Sequence, residues 1–342
     1  MNINNLELKP LAIKIVYLHY MTEKELQILS YIKDNWSTME PSIPIVIPGY
    51  KNRPGNIVQN LDLVSNNDIY VFVYEDDYLA SAYDKYDNKP NVHFVKIKAE
   101  WRSLPRKRHF INEYFMKMPE IHDYIMIDDD IIGGKLWTID KVKHRPITLK
   151  QFLGVLQYAH CSIENRTISS VSSSDIEFGH WDFEKYTYSN HQVHQVFACS
   201  NDFFIKTGII FRDMELISED VVMTYDILRN GYSTNDFPWI ARAYQEDCSN
   251  NTVASSRDKE YHYVINTTKI LGEHARFFVG KSKQNFGTHA NMKPNKKWPY
   301  IQPIVFDKNK TDKEKYEEIL KILNEDKKEK VVKTELDGFF DE

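Results

Sequence analysis

The chain of 342 residues is 42% apolar and 27% charged, and its formal net charge is −5 at pH 7. These proportions are those of an ordinary globular protein with a sizeable core, and they exclude a protein coated in basic surface, although a local basic groove remains open. Three cysteines, odd in number and widely spaced, exclude a disulfide scaffold and fit a reducing compartment.

The start of the chain carries no pattern that predicts secretion or membrane insertion. It lacks the charged and then apolar segments of a signal peptide. The most apolar early stretch, residues 11–20, contains Lys14 and His19 and is too short to span a bilayer. We therefore expect a soluble, cytoplasmic protein.

In the first 130 residues, predicted strands alternate with predicted helices. A strand at residues 12–20 precedes a helix that begins with a capping box at Thr22 and Glu25. Further strands are predicted at residues 44–48, 69–74, 92–97 and 124–127, and further helices after Pro54 and over Arg106–Lys117. This alternation predicts a parallel sheet covered on both faces, with the ligand at the carboxyl ends of the strands.

After residue 150 the pattern is less regular. Residues 151–161 predict a helix, residues 172–196 a long loop or hairpin region, and residues 197–210 an apolar stretch. Ser218 could cap a helix that stops at Gly231. From residue 310 to about residue 332 the chain is rich in Lys and Glu and helical in pattern.

Asp128, Asp129 and Asp130 directly follow the fourth predicted strand of the sheet. Aspartates at i and i+2 past a buried strand can both reach one ion, with the middle residue turned toward the core or a ribose. Carboxylates are natural ligands of hard divalent cations, and such a cation neutralises charge on a departing diphosphate. We predict a metal site at Asp128 and Asp130, with a solvated acidic turn as the alternative. Gly133-Gly134 would let backbone approach a ligand closely, or would form a plain turn.

A second acidic pair, Glu219 and Asp220, opens the predicted helix after Ser218. A hydroxyl that attacks an anomeric carbon must lose a proton, and a positioned carboxylate can accept it. Asp220 is the predicted general base, with Glu219 as the second choice. The alternative is that the helix dipole favours acids in the first turn whatever their function.

In their order and intervals, these stretches resemble the GT-A nucleotide-sugar glycosyltransferases over roughly residues 43–240. The matching stretches are residues 45–53, 71–76, 106–114, 124–131 and 218–231. The resemblance implies an α/β, Rossmann-like fold with a mostly parallel central sheet flanked by helices, an acceptor-side lobe and a helical C-terminal tail. It also implies metal-dependent transfer of a sugar from a nucleotide-sugar, with a UDP-sugar as the expected donor, to a hydroxyl acceptor.

The same resemblance implies the residues that contact the donor and the metal. Pro48, Tyr50 and Arg53 are expected to contact the base or phosphate, and Glu75 or Asp76 the nucleoside. Asp129 is expected to contact the ribose, and Arg106 and Arg108 the diphosphate. Asp128 and Asp130 are expected to bind Mn²⁺ or Mg²⁺. A late histidine often joins the metal shell in this family. His289 is the first candidate and His274 the second, although a lone histidine is commonly a structural residue.

Within the family, three stretches are similar to the glucosyltransferases of base J synthesis and their phage relatives, which glycosylate hydroxymethylated pyrimidines in DNA. They are residues 106–111, 127–131 and 218–221. The acceptor implied is therefore DNA with a hydroxymethylated pyrimidine, in the host cytoplasm if the chain is phage-encoded. Residues 281–300 combine five lysines with aromatic residues and no acid, which suits phosphate contact and base stacking as well as a solvated loop.

The C-terminal peptide, residues 335–342, carries apolar side chains at Leu336, Phe339 and Phe340 in a polar tail. Such anchors either dock on their own domain or bind a partner. Their order is similar to the terminal peptides by which phage replication proteins bind their sliding clamp. We therefore expect this peptide to bind a sliding clamp, with docking on its own domain as the alternative.

We expect four parts: an N-terminal strand–helix extension at residues 1–40, a nucleotide-sugar-binding half at 41–140, an acceptor-binding and catalytic half at 141–305, and a charged helical tail at 306–342. Three alternatives stay open. The acceptor could be a glycan, a cell-wall polymer or a protein; the enzyme could be a nucleotidyltransferase; or the chain could be a non-catalytic DNA- or clamp-binding module. Neither inversion nor retention follows from the sequence.

Overall fold

The computed structural model describes residues 22–49, 67–76, 86, 88–101, 103–137, 144–172, 188–189, 193, 196–214, 219–244, 275–279 and 286–290. Its helices are α1 (Glu23–Asn35), α2 (Leu104–Met116), α3 (Leu149–Cys161), α4 (Asn201–Thr207) and α5 (Glu219–Arg229), with 3-10 turns at Trp36–Thr38 and Ala99–Trp101. Its strands are β1 (Ile45–Pro48), β2 (Ile69–Tyr74), β3 (Val92–Ile97), β4 (Asp123–Ile127), β5 (Ile131–Trp137), β6 (His144–Thr148), β7 (Ile168–Ser172), β8 (Tyr188–Ser189), β9 (Val196–Ser200), β10 (Asn235–Tyr244), β11 (Ala275–Val279) and β12 (Phe286–Ala290).

The main sheet has the order β3-β2-β1-β4-β9-β7-β10-β5-β6, and β8 pairs with β10. Strands β3, β2, β1 and β4 are parallel neighbours, in a register that sets Ile45 opposite both Ile69 and Ile125. Strand β9 runs antiparallel to β4, and β5 and β6 extend the far side as antiparallel neighbours. Strands β11 and β12 form a separate two-stranded sheet.

Alternate residues of the parallel strands supply two hydrophobic clusters, one on each face of the sheet. Ile45, Ile47 and Ile125 pack with residues of α1 and α3. Val46 and Met126 pack on the other side with residues of α2, α4 and α5. Burial on both faces explains why these strands are apolar at every position rather than at every second one.

The predicted fold class is confirmed: the main sheet contains four neighbouring parallel strands, and helices cover both of its faces. The capping box at Thr22 and Glu25 is present, and β2 and β3 begin and end at the predicted residues. The predicted strand at 12–20, the helix after Pro54 and the helical tail lie outside the described residues. Within the described residues, no helix is both long and apolar enough to cross a membrane.

Gly133 and Gly134 lie in strand β5 and not in a turn. A Cβ atom at Gly134 would lie 2.2 Å from Cδ2 of Phe152 and 2.7 Å from the carbonyl oxygen of Ala241. Gly134 is therefore needed because β10 and helix α3 pack closely against β5, and a Cβ atom at Gly133 would lie 2.8 Å from the carbonyl oxygen of Ile147 in β6. The close approach is to the protein's own backbone and side chains.

Candidate functional site

Several of the predicted site residues that the structure describes lie at the carboxyl edge of the parallel strands. Strands β1 and β4 end at Pro48 and Ile127, and β2 ends at Tyr74 immediately before Glu75. Because parallel strands end at the same edge, the segments that follow them are neighbours in space. The N-terminal half of α2 and the first turn of α5 reach this edge. Arg108 of α2 donates there to both Asp128 and Glu219, the first residue of α5.

The three aspartates after β4 differ in exposure in the way the i and i+2 spacing predicts. Asp129 is buried, whereas Asp128 and Asp130 are partly exposed. Burial raises the pKa of the Asp128 carboxyl, and the neighbouring Arg108 guanidinium opposes that rise. The two outer aspartates therefore keep partial contact with solvent, and their joint binding of one cation stays a prediction.

Arg108 on α2 joins the two acidic motifs. Its Nη2 donates to Oδ1 of Asp128 at 2.9 Å, and its Nη1 donates to Oε1 of Glu219 at 2.5 Å. Its side chain is 2% exposed. The rings of Phe197 and Phe211 lie near the guanidinium, with centroids 5.1 Å and 5.8 Å from its central carbon. The motifs predicted separately at residues 128–130 and 219–220 thus form one cluster of charges.

Glu219 and Asp220 begin α5, and they differ in accessibility. Glu219 is buried, and burial raises its pKa to about 7, against the opposing effect of Arg108. Asp220 is partly exposed, and its Oδ1 accepts a hydrogen bond from the backbone N–H of Val221 at 2.8 Å. Asp220 raises the pKa of Asp128, so the two carboxylates lie within electrostatic reach of each other. Of the pair, Asp220 is the one that an incoming group could approach.

Two buried cations near the acids were not predicted. Arg242 on β10 lowers the pKa of Asp128 and is itself almost fully buried. Lys107 is 1% exposed, and its Nζ donates to the backbone carbonyls of Gly49 and, at 3.3 Å, Phe72. The ammonium also lies 4.0 Å from the centroid of the Tyr74 ring. Helical and strand periodicity assigns lysine and arginine to solvent, so no signal in the sequence marks these two as buried.

Segment 211–214, which leads toward α5, runs along one face of α2. Side chains spaced three residues apart, at the N-cap and along α2, form hydrogen bonds with this segment. The bonds of 2.6–3.1 Å come from the side chains of Ser103, Arg106, His109 and Asn112. We call this segment the strap. Arg212 of the strap also donates two hydrogen bonds of 2.6 Å to Asp226 of α5. The strap therefore holds α5 against α2 by contacts independent of Arg108.

The other predicted residues are placed less closely together. Pro48 is buried at the end of β1, Glu75 and Asp76 are exposed after β2, and Arg106 donates to Asp213 at 3.0 Å. His289 lies in β12, a strand that contacts α5. Tyr50, Arg53, His274, Leu336, Phe339 and Phe340, with most of the basic stretch 281–300, lie outside the described residues. The predicted contacts of all these residues with a donor, metal or partner remain predictions.

The aspartates at this edge fit a divalent cation whose coordination shell is completed by oxygen atoms of a substrate. Among the described residues, no three His, Cys, Asp or Glu side chains are grouped to hold a metal ion by themselves. Mg²⁺ is commonly held by one or two carboxylates, with substrate phosphates and waters completing the shell. Asp128 and Asp130 are two partly exposed carboxylates at positions i and i+2, and they match that donor set.

No protein-family model matches the sequence, and no curated protein matches it either. Among solved structures, S. aureus TarS residues 1–349 are 11% identical over 77% of this chain and 100% of that solved chain. The TM-score is 0.38 for TarS alone and 0.39 for its complex with UDP. A mycobacterial protein is 8% identical with a TM-score of 0.43, over 77% and 87%. The inositol-1-phosphate CTP transferase from T. maritima is 13% identical with a TM-score of 0.33, over 65% and 98%. At these values none of the likenesses identifies a function, which depends on the site itself.

Proposed function

We propose that this chain is a metal-dependent glycosyltransferase that moves a sugar from a nucleotide-sugar, with a UDP-sugar as the expected donor, to a hydroxyl acceptor. The observation that carries the proposal is the bridge from Asp128 through Arg108 to Glu219. It brings a partly exposed acidic turn and a partly exposed acid at a helix start to one edge of a parallel sheet. That edge is where open α/β sheets bind their ligands.

Asp128 and Asp130 are assigned to hold the cation, and through it the donor diphosphate. When bound, a divalent cation neutralises the charge that develops on the departing diphosphate. Both residues are partly exposed carboxylates directly after β4, and Asp129 between them is buried. We assign the nucleoside to the ends of β1 and β2, where Pro48, Glu75 and Asp76 lie.

Asp220 is assigned as the general base. The acceptor hydroxyl gives its proton to the Asp220 carboxylate while its oxygen forms the new bond to the anomeric carbon. The bond between that carbon and the diphosphate oxygen breaks at the same time, and its electron pair stays on the diphosphate. Asp220 is favoured over Glu219 because it is partly exposed, whereas Glu219 is buried against Arg108. A single displacement of this kind inverts the anomeric configuration.

For the acceptor, we propose a hydroxymethylated pyrimidine in DNA, in the cytoplasm of a phage host. Support comes from the basic and aromatic stretch 281–300, whose composition suits phosphate contact and base stacking. A target base in duplex DNA would have to flip out of the stack to reach the donor. The division into a nucleotide-binding half at 41–140 and an acceptor half at 141–305 belongs to the same proposal, as does clamp binding by residues 335–342.

The test is incubation with UDP-, GDP- and CDP-sugars, Mn²⁺ or Mg²⁺, and DNA that contains hydroxymethylated cytosine or uracil. We expect the modified nucleoside to gain the mass of a sugar with at least one donor, and the nucleoside diphosphate to be released. Asp128→Asn and Asp130→Asn should abolish both signals. Asp34→Asn, an exposed acid on α1, is the matched control and should leave them unchanged.

The remaining outcomes decide between the alternatives. Transfer to a glycan or protein but not to DNA would keep the chemistry and reject the acceptor. Release of pyrophosphate from a nucleoside triphosphate, with no sugar transferred, would indicate a nucleotidyltransferase. DNA or clamp binding that survives the loss of both aspartates, with no turnover of any donor, would indicate a binding module and reject the proposal.

A further inference from the structure

We propose that Arg108 is a positioning residue that sets the distance between the cation-binding aspartates and the base Asp220, an inference that rests on the function proposed above. Sequence resemblance assigned Arg108 to the donor diphosphate. Its contacts indicate a different role, in which it acts on the reaction through the two acidic motifs.

The guanidinium group holds one acid of each motif with a separate nitrogen. Nη2 bonds to Asp128, at the end of β4, and Nη1 bonds to Glu219, the first residue of α5. The guanidinium is a rigid, planar fork, so two oxygen atoms bonded to its two terminal nitrogens have a nearly constant separation. Asp220 directly follows Glu219, and its place relative to Asp128 therefore depends on this fork.

Arg108 lies behind the acids and is closed off from a bound substrate. Its side chain is 2% exposed, and the rings of Phe197 and Phe211 lie near the guanidinium. Both terminal nitrogens already donate to carboxylates. These bonds use two of the five N–H donors of the guanidinium. Because the side chain is only 2% exposed, a diphosphate could reach the remaining donors only if the surrounding groups moved.

The rest of α5 is held by other contacts, so loss of Arg108 should act locally. Arg212 of the strap bonds twice to Asp226, near the middle of α5. The hydroxyl of Thr224 accepts from the backbone N–H of Val193 at 3.1 Å. These contacts would keep the helix on the sheet while its first turn, with Glu219 and Asp220, shifted. Misplacement of a reacting group by about 1 Å can cost on the order of a hundredfold in rate.

The test is a double-mutant cycle of Arg108→Gln and Glu219→Gln, measured with the donor that the wild-type protein turns over. We expect each single variant to lower kcat at least about tenfold, while the Kd of the corresponding nucleoside diphosphate changes by less than about threefold because the donor contacts remain. The double variant should be no slower than the slower single variant, since both changes break the same bridge. Arg108→Lys, which keeps the charge and loses the fork, should fall between wild type and Arg108→Gln.

Arg145→Gln, on the exposed edge strand β6, is the matched control and should leave kcat and Kd unchanged. If Arg108→Gln does not fold, Glu219→Gln and Arg108→Lys carry the test, because both keep a hydrogen-bonding group at the bridge. Three outcomes would each overturn the inference and leave the proposed function standing. They are an unchanged kcat in the single variants, losses of kcat that are additive in the double variant, and a Kd that rises by the same factor as kcat falls. A wild-type protein that transfers no sugar from any donor would overturn both.

Discussion

Nη1 of Arg108 lies 2.5 Å from Oε1 of Glu219, across 111 residues of sequence. The same guanidinium is 2.9 Å from Oδ1 of Asp128, and the Arg108 side chain is almost fully buried. Buried charges are tolerated as a set, because each ion compensates the lost hydration of its partner. Loss of this bridge should therefore change both the arrangement of the site residues and the free energy of unfolding.

Arg108→Met should destabilise the protein by about 3–5 kcal/mol, because it leaves buried Glu219 and partly exposed Asp128 without the guanidinium that pairs with both. Arg106→Met removes the more exposed pair with Asp213 from the same helix and should cost less than about 1 kcal/mol. Urea unfolding of both variants measures the difference in free energy. Equal losses would show that the buried bridge adds nothing beyond an ordinary surface pair.

Lys107→Met should destabilise the fold by about 1–3 kcal/mol, because Gly49 and Phe72 lose a buried donor to their carbonyl oxygens. Lys206→Met, on the exposed face of α4, serves as the control and should change the free energy of unfolding little. Thermal or urea unfolding of the two variants is the measurement. A Lys107→Met protein as stable as the control would indicate that other donors replace the ammonium.

Gly134→Ala should destabilise the protein by about 1–3 kcal/mol through overpacking, since the new methyl group would overlap Phe152 and the Ala241 carbonyl. Phe152→Leu costs stability by itself but makes room at the ring. The loss in the double variant should therefore be smaller than the sum of the two single losses. Urea unfolding of the three variants tests this, and simple additivity would count against the packing explanation.

Acid should weaken the fold through His160, which is fully buried between Ser169 and Asp123, at 2.7 Å and 3.3 Å. Burial lowers the pKa of His160 below its ordinary value of 6.5, although Asp123 opposes that shift. The unfolded chain thus binds more protons than the folded one between the two pKa values. The contribution of His160 to stability is full above pH 6.5 and is lost as the pH falls through 6.5 toward the lower pKa of the folded state.

The measurement is the free energy of unfolding at pH 7.5 and pH 5.5 for the wild type and for His160→Gln, which cannot titrate. We expect a smaller loss between the two pH values in the variant. The pKa of Asp123 is lowered: burial alone would raise it, but His160 and Arg166 outweigh that effect, so Asp123 stays ionised over this range. Equal pH dependence in the two proteins would contradict the assignment to His160.

Patterns in the sequence predicted the local elements of the parallel half of the sheet. Strands β2 and β3 match their predicted bounds, and α1 begins at its predicted cap, because apolar runs and capping residues act through neighbours in the chain. The two acidic motifs were also identified, since each directly follows a strand or opens a helix. These features depend on residues a few positions apart.

How those motifs combine follows from the packed fold and not from local sequence patterns. The pairing of Arg108 with Glu219 and Asp128 links three elements, and the burial of Lys107 depends on the ends of two strands distant in sequence. It also assigned Gly133-Gly134 to a closely packed strand, where the sequence pointed to a turn or a ligand. Propensity describes each segment separately, whereas the burial of a charge depends on partners that only the packed fold brings within hydrogen-bond distance.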